Sequence, residues 1–230
     1  MKLIIITGTN RGLGEAIFNA IKDVEDMYIW CISRRLSKEQ AENMESYPRV
    51  TFFLQDLAVL EEVNFLNFET IKPEVNEIVF INNAASIQPI GSIGSFENAQ
   101  IRTLINLNTT IPLQMINEIV KYKKDRSVKV INISSGAARS PIVGWSLYCT
   151  TKCANEMFLN VLEKQEGTKE QVRVYNIDPG VIDTAMQQNI RKTAASEFPN
   201  VSDFIRLKED NILQDAKDVA LRILNECKIL

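Results

Sequence analysis

The strongest constraint on this chain is a regular exchange between two hydrophobic periods. Short, β-branched, almost wholly apolar runs alternate with longer stretches in which apolar residues return every three or four positions. The runs predict strands over Lys2 to Thr7, Met27 to Ser33, Val50 to Leu54, Glu77 to Ile81, Ser127 to Ile133 and Gln171 to Ile177. The longer stretches predict helices over Gly12 to Val24, Ser37 to Glu45, Leu60 to Thr70, Asn98 to Tyr122, Ser146 to Glu166 and, at the end, about Asp215 to Cys227. Strands that are apolar at nearly every position are those covered on both faces, as in a parallel sheet between two helical layers. The expected fold is α/β, a doubly wound parallel sheet. At 230 residues, against roughly 150 per domain, one domain over 1–230 is the simpler reading.

Within the helix from Ser146, the residues Ala154, Met157, Phe158, Val161 and Leu162 form one stripe, and Glu156, Asn160, Glu163 and Lys164 face away. The stripe is expected to be the buried side. The segment Asp178 to about Ser202 has no clear period and reads as a long functional connection.

Composition removes several function classes. Histidine is absent, so no Ser-His-Asp or Cys-His nucleophile, no H-E-x-x-H zinc site and no imidazole shuttle is available. With 26 basic against 29 acidic residues and no long basic block, nucleic acid is an unpromising partner. Cys31, Cys149, Cys153 and Cys227 make neither a disulfide framework nor a paired metal motif, and no metal site is expected. No apolar stretch approaches the roughly 20 residues that cross a bilayer, and the first residues lack a cleavable leader. A cytoplasmic location with reduced thiols follows as an expectation.

Three motifs carry chemistry. Gly8-x-x-x-Gly12-x-Gly14 lies between a strand and a helix, where glycines allow a tight turn and the helix N-terminus offers free N–H groups to a pyrophosphate. At the end of the second strand, where an acidic residue would accept from the adenosine ribose of NAD, the chain reads Ser33-Arg34-Arg35. A guanidinium there suits a 2'-phosphate, with Arg11 as a second positive charge, which favours NADP(H); the alternative is a pair of solvated charges after a strand. Tyr148-x-x-x-Lys152 puts a phenol and an ammonium on one helical face. A proton donor near neutrality would need the phenol lowered by about three units from a reference of ~10, about 4 kcal/mol, and the ammonium with a cationic nicotinamide would act that way. That spacing also arises by chance. Ser134 and Ser135 after the strand VKVINI, Asn82-Asn83-Ala84-Ala85 after another, and Asn108 inside an apolar helix converge on the same sheet edge.

Taken together, TGTNRGLG, NNAA, the asparagine of LINLNTT, INISS, YCTTK and DPGVIDTAM resemble the short-chain dehydrogenase/reductase family in content and order from about Lys2 to Met186. The segments GWSLYCTTK and PGVIDTAMQ are most similar to its sepiapterin reductase and bacterial benzil reductase-like branches. The resemblance implies a Rossmann-type fold and an NADPH-dependent reductase of small ketones or diketones. It implies a tetrad of Asn108, Ser135, Tyr148 and Lys152: Tyr148 protonates the carbonyl oxygen, Ser135 holds it, Lys152 tunes the phenol and binds the nicotinamide ribose, and Asn108 holds a relay water. It places the cofactor on Gly8, Asn10, Arg11, Gly12, Leu13, Gly14, Ser33, Arg34, Asp56, Leu57, Asn83, Ala84, Tyr148, Lys152, Pro179, Val181 and Thr184. It also implies a homodimer through the Asn98 to Tyr122 and Ser146 to Glu166 helices.

Two departures stand out. Ala85 occupies a position usually held by glycine, and Lys228-Ile229-Leu230 follow the last helix where relatives commonly add a strand, which puts that edge strand and a tetramer built on it in doubt. Other functions remain open: a nucleotide-sugar epimerase or dehydratase, or a non-catalytic NADP-sensing protein. Trp145 is open between stacking on substrate and packing; Met186, Ile190 and Phe198 between a lid and packing; Cys149 reads as a small buried apolar residue.

Overall fold

In the computed structural model, which describes residues 1–166 and 171–230, alternate side chains of one strand already define two layers. Strand β1 (Lys2–Thr7) sends Ile4 and Ile6 into one core and Leu3 and Ile5 into the other, all at most 2 % exposed. Each such side chain contributes about 1.5–3 kcal/mol relative to exposure. Around it lie β2 (Met27–Ser33), β3 (Val50–Leu54), β4 (Glu77–Asn82), β5 (Ser127–Ile133) and β6 (Val172–Ile177). All pairings are parallel and the order is β3-β2-β1-β4-β5-β6. The six strands fall where the apolar runs predict them, and the sheet is Rossmann-type, with the order reversing between β1 and β4.

Helix α1 (Gly12–Ile21) and the last helix cover one face. The last helix is α8 (Ala216–Glu226), and between it and α1 the chain forms α2 (Lys38–Asn43), α3 (Asn98–Ile105), α4 (Ile111–Tyr122), α5 (Ser146–Glu166), α6 (Ala185–Arg191) and α7 (Val201–Glu209). Phe18 of α1 meets Ile223 and Leu224 of α8 in the first core, while Met115 and Ile119 of α4 and Leu159 of α5 fill the second. Among the described residues no strand follows α8. Instead Lys2 and Lys129 donate their ammonium groups to the carbonyls of Ile229 (2.8 Å) and Lys228 (3.1 Å), tying the tail to the amino ends of β1 and β5.

Four sequence expectations need correction. Leu60 to Thr70 is not a helix but turns ending in one 3-10 turn, Phe68–Thr70. The first carbonyls such a helix would use internally are taken by side chains: Asn106 donates to that of Leu60 and Gln114 to that of Glu61, and Asn106 also holds the carbonyls of Leu57 and Ala58 just before the segment. The helix over Asn98 to Tyr122 is interrupted by a π-turn, Asn106–Thr110. The segment after β6 is not wholly irregular, since α6 lies within it and α7 begins at Val201. Finally, most of the apolar stripe of α5 faces outward: Met157 is 61 % and Val161 55 % exposed, with Phe158 at 37 %, and of the stripe only Leu162 is buried. The buried face carries Tyr148, Thr151, Lys152 and Asn155 beside Leu159 and Leu162. Polar site residues occupy the side that apolarity normally marks.

Candidate active site

The carboxyl ends of β1 and β4 are laced together by the residues that follow them. Thr7 Oγ1 accepts from the backbone N–H of Asn83 (3.0 Å) and of Ala84 (2.9 Å), while the Asn83 amide donates to the carbonyls of Thr7 (2.9 Å) and Gly8 (3.3 Å). The glycine turn therefore rests on the NNAA segment. Gly8 (φ +75) and Gly12 (φ +59) take the left-handed region. A Cβ on Gly14 would lie 2.2 Å from the Gly8 carbonyl oxygen, so only glycine lets α1 approach the strand this closely. Arg11, the residue before α1, is extended and its side chain makes no cap, leaving the helix's first N–H groups unclaimed by it. This cradle, closed to any larger side chain, fits a dinucleotide pyrophosphate.

A cavity of about 620 Å³ extends from that turn along the sheet edge. Of the residues expected from the sequence, Gly8, Asn10, Arg11, Gly12, Leu13, Ser33, Arg34, Asp56, Leu57, Asn83 and Ala84 line it, and so do Ser135, Tyr148, Lys152, Pro179, Val181 and Thr184. Ser33 is held by its hydroxyl donating to the Arg35 carbonyl (2.8 Å), which leaves Arg34 exposed at the rim. Arg11 is exposed as well, and among the described residues neither forms an ion pair. Gly14 lies behind the turn and Asn108 behind the cavity wall. Ala85 stays out of the left-handed region, so alanine is accommodated.

Asn108 is 2 % exposed and laces three segments. Its side chain accepts from the Ser86 N–H (2.9 Å) and donates to the Ser86 carbonyl (2.8 Å) and to Thr151 Oγ1 (3.2 Å). Its own carbonyl accepts from Asn155 (2.7 Å). The π-turn around it sets this asparagine against both the β4 loop and α5.

In the chain by itself, Tyr148 and Lys152 shift in opposite directions. Burial pushes the Tyr148 phenol up from 10.0 to about 12, with the Ser135 hydroxyl pulling it down and the Asp178 carboxylate adding to the rise. Burial pulls the Lys152 ammonium down from 10.5 to about 8, opposed by the Glu156 carboxylate. The chain alone does not acidify the phenol, because desolvation outweighs the Ser135 hydrogen bond. Lys152 Nζ instead donates to the Ile133 carbonyl (2.6 Å), 5.6 Å from the centre of the Tyr148 ring. Ser135 Oγ accepts from the Ala137 N–H (3.2 Å), which orients the hydroxyl on the wall.

Some contributors are invisible in the motifs. Gln40 donates to the Thr9 carbonyl (2.9 Å) and braces the glycine turn from α2. Glu156 accepts from Ser134 Oγ (2.5 Å) beside Ser135, and Asn106 shapes the Asp56-Leu57 turn. Trp145, 5 % exposed, stacks on Phe198 (4.8 Å, 7°) and meets Tyr148 edge-on (5.8 Å), so it both packs and lines the cavity. Met186 and Ile190 line it too, whereas Phe198 packs behind. Cys149 is half-buried rather than buried.

A nucleotide cradle and a Ser, Tyr, Lys cluster on one cleft of a parallel sheet define an oxidoreductase-type site. The family model for short chain dehydrogenase matches residues 2–195, and the chain belongs to that family. It is 39% identical to a benzil reductase ((S)-benzoin forming) of Bacillus cereus, over 98% of this chain and 93% of that enzyme. It is 31% identical to the sepiapterin reductase of Meriones unguiculatus, over 96% and 89%. Among solved structures it is similar to the KRED1-Pglu enzyme, with a TM-score of 0.79 and 26% identity over 96% of this chain and 92% of that one. The family acts on carbonyl and hydroxyl groups with nicotinamide cofactors.

Proposed function

We propose that this protein is an NADPH-dependent carbonyl reductase of small ketones or diketones, with Tyr148 as proton donor. The carrying observation is that Tyr148, Ser135 and Lys152 line the same cavity as the glycine turn and Arg34. The turn and α1 N-terminus would hold the pyrophosphate, Arg34 and Arg11 a 2'-phosphate, and Lys152 the nicotinamide ribose. When bound, the nicotinamide supplies a hydride to the carbonyl carbon. A phenol that stays protonated through neutral pH is the state needed to give a proton to the oxygen, and the Ser135 hydroxyl donates to that oxygen as charge builds. Asn108 holds the β4 loop against α5, and the second lone pair of its carbonyl suits the relay water that the family resemblance implies.

The apolar wall of Ile87, Ile142, Trp145 and Met186 favours a hydrophobic or aromatic ketone, in keeping with the names of the relatives. The exposed Met157, Phe158 and Val161 on α5 support a homodimer through that helix and α4. No helix among the described residues is long and apolar enough to cross a membrane, and a cytoplasmic location is part of the reading. The test is loss of NADPH absorbance with a diketone panel, abolished by Tyr148→Phe. Cofactor binding without turnover of any carbonyl would leave an NADP sensor as the better reading.

A further inference from the structure

Strand β6 delivers a carboxylate to the side of the cavity where Ser135 and Tyr148 stand. The Ser134 N–H donates to the Ile177 carbonyl (2.7 Å), which carries the β5–β6 pairing one residue past β5 and sets Asp178 alongside Ser134 and Ser135. Asp178 lines the cavity, and so does Gly136, the residue after Ser135. A Cβ on Gly136 would lie 3.6 Å from Asp178 Oδ2, so the carboxylate sits over the backbone that leaves Ser135.

This carboxylate is held in place but not neutralised. The Gly180 N–H donates to Asp178 Oδ1 (3.0 Å), and among the described residues Asp178 forms no ion pair. Its charge reaches the proton donor, since it adds to the rise of the Tyr148 phenol. Other charges on the cavity wall lie elsewhere: Asp56, Arg34 and Arg11 follow β3, β2 and β1, across the strand order from β6. Lys152, the cation on the same side, is turned to the Ile133 carbonyl. An anion entering beside Tyr148 therefore meets an open carboxylate.

Resting on the reductase reading, the geometry points to Asp178 as a charge filter: its carboxylate repels anionic carbonyl compounds from the oxygen site of Ser135 and Tyr148, so that uncharged ketones and keto esters are reduced and α-keto acids are turned away. Like charges cost more where apolar walls thin the water between them, and Ile142, Trp145 and Met186 supply such walls here. Selection then works through a repulsive element and needs no added contact to the preferred compound.

The experiment compares kcat/KM with NADPH for methyl phenylglyoxylate and for phenylglyoxylate, which share a ring and a ketone and differ by one charge, in the unaltered protein, Asp178→Asn and Asp178→Glu. The expected result is a preference for the ester that narrows at least about fivefold in Asp178→Asn through faster keto acid reduction, the worth of one close like-charge contact even in water. Asp178→Asn keeps an acceptor for the Gly180 N–H, and Asp178→Glu keeps the charge and should keep the preference. If thermal melting shows Asp178→Asn to be unfolded, the unaltered protein decides, because its preference should shrink as salt is added. A preference for the keto acid, a ratio unchanged in Asp178→Asn or by salt, or one lost equally in Asp178→Glu, overturns the filter and leaves the reductase reading intact. If the unaltered protein turns over neither compound the filter falls, and if it turns over no diketone either the reductase reading falls with it.

Discussion

Lys152 donates its ammonium proton to the main-chain carbonyl of Ile133 at 2.6 Å, joining the carboxyl end of β5 to the helix that carries Tyr148. The bond holds the ammonium beneath the phenol and fixes the distance between Ser135, two residues past that carbonyl, and the helix. The proton on this nitrogen is therefore part of the architecture.

Burial lowers Lys152 from 10.5 to about 8, so the ammonium is complete below that pH and lost above it. Ketone reduction is expected to be level on the acid side and to fall as pH rises through about 8. A kcat/KM profile that stays flat to pH 10 would contradict this. Glu156 opposes the downward shift, so Glu156→Gln should move the falling limb to lower pH.

Tyr148→Phe removes the donor and should lower kcat by roughly 10²–10⁴, the usual worth of positioned acid catalysis. Equilibrium binding of NADPH should survive, because the pyrophosphate cradle is untouched. In the cofactor-free protein, a difference titration between wild type and this variant should place the phenol at about 12. A value near 7 would show that the chain alone acidifies it.

Arg34→Ala should weaken NADPH about tenfold, the scale of one charge-assisted hydrogen bond at an exposed rim, with NADH changed less than about twofold. Binding titrations with both cofactors decide it. Equal losses would remove the 2'-phosphate contact from the account.

Gly14→Ala would press a methyl group to 2.2 Å from the Gly8 carbonyl oxygen and 2.5 Å from Asn83 Nδ2. The backbone must move, at a cost of about 1–3 kcal/mol despite alanine's better helix propensity. A lower Tm together with weaker cofactor binding is expected, and a variant as stable as wild type would show that the turn has slack.

Val161 is 55 % exposed in the protomer, so Val161→Glu should leave the fold intact. If α5 forms the dimer face, sedimentation should show a dimer for the wild type and a monomer for the variant. A monomeric wild type at working concentration would refute the interface.

Much of this was legible because sheet cores leave a direct trace: the central strands, buried on both faces, are apolar nearly throughout, while the edge strands β3 and β6 were placed from β-branched and aromatic content despite their partial exposure. The glycine turn, the strand-end arginine and the Tyr-Lys pair lie in short motifs whose spacing reflects local geometry, and the structure brings them to one cavity. Leu60 to Thr70 misled because its apolar residues pack as an irregular segment whose carbonyls are claimed by Asn106 and Gln114 from distant helices. The α5 stripe misled because this helix turns polar residues inward.

The sequence by itself determined the sheet, its alternation with helices, and which side chains could carry protons or hold a phosphate, since these follow from period, glycine and residue chemistry. Only the tertiary structure decided the protonation behaviour of Tyr148 and Lys152, the lacing of Asn108 and the place of the Asp178 carboxylate over Gly136. Those depend on desolvation and on which polar atoms meet across the fold, and such meetings join residues far apart along the chain.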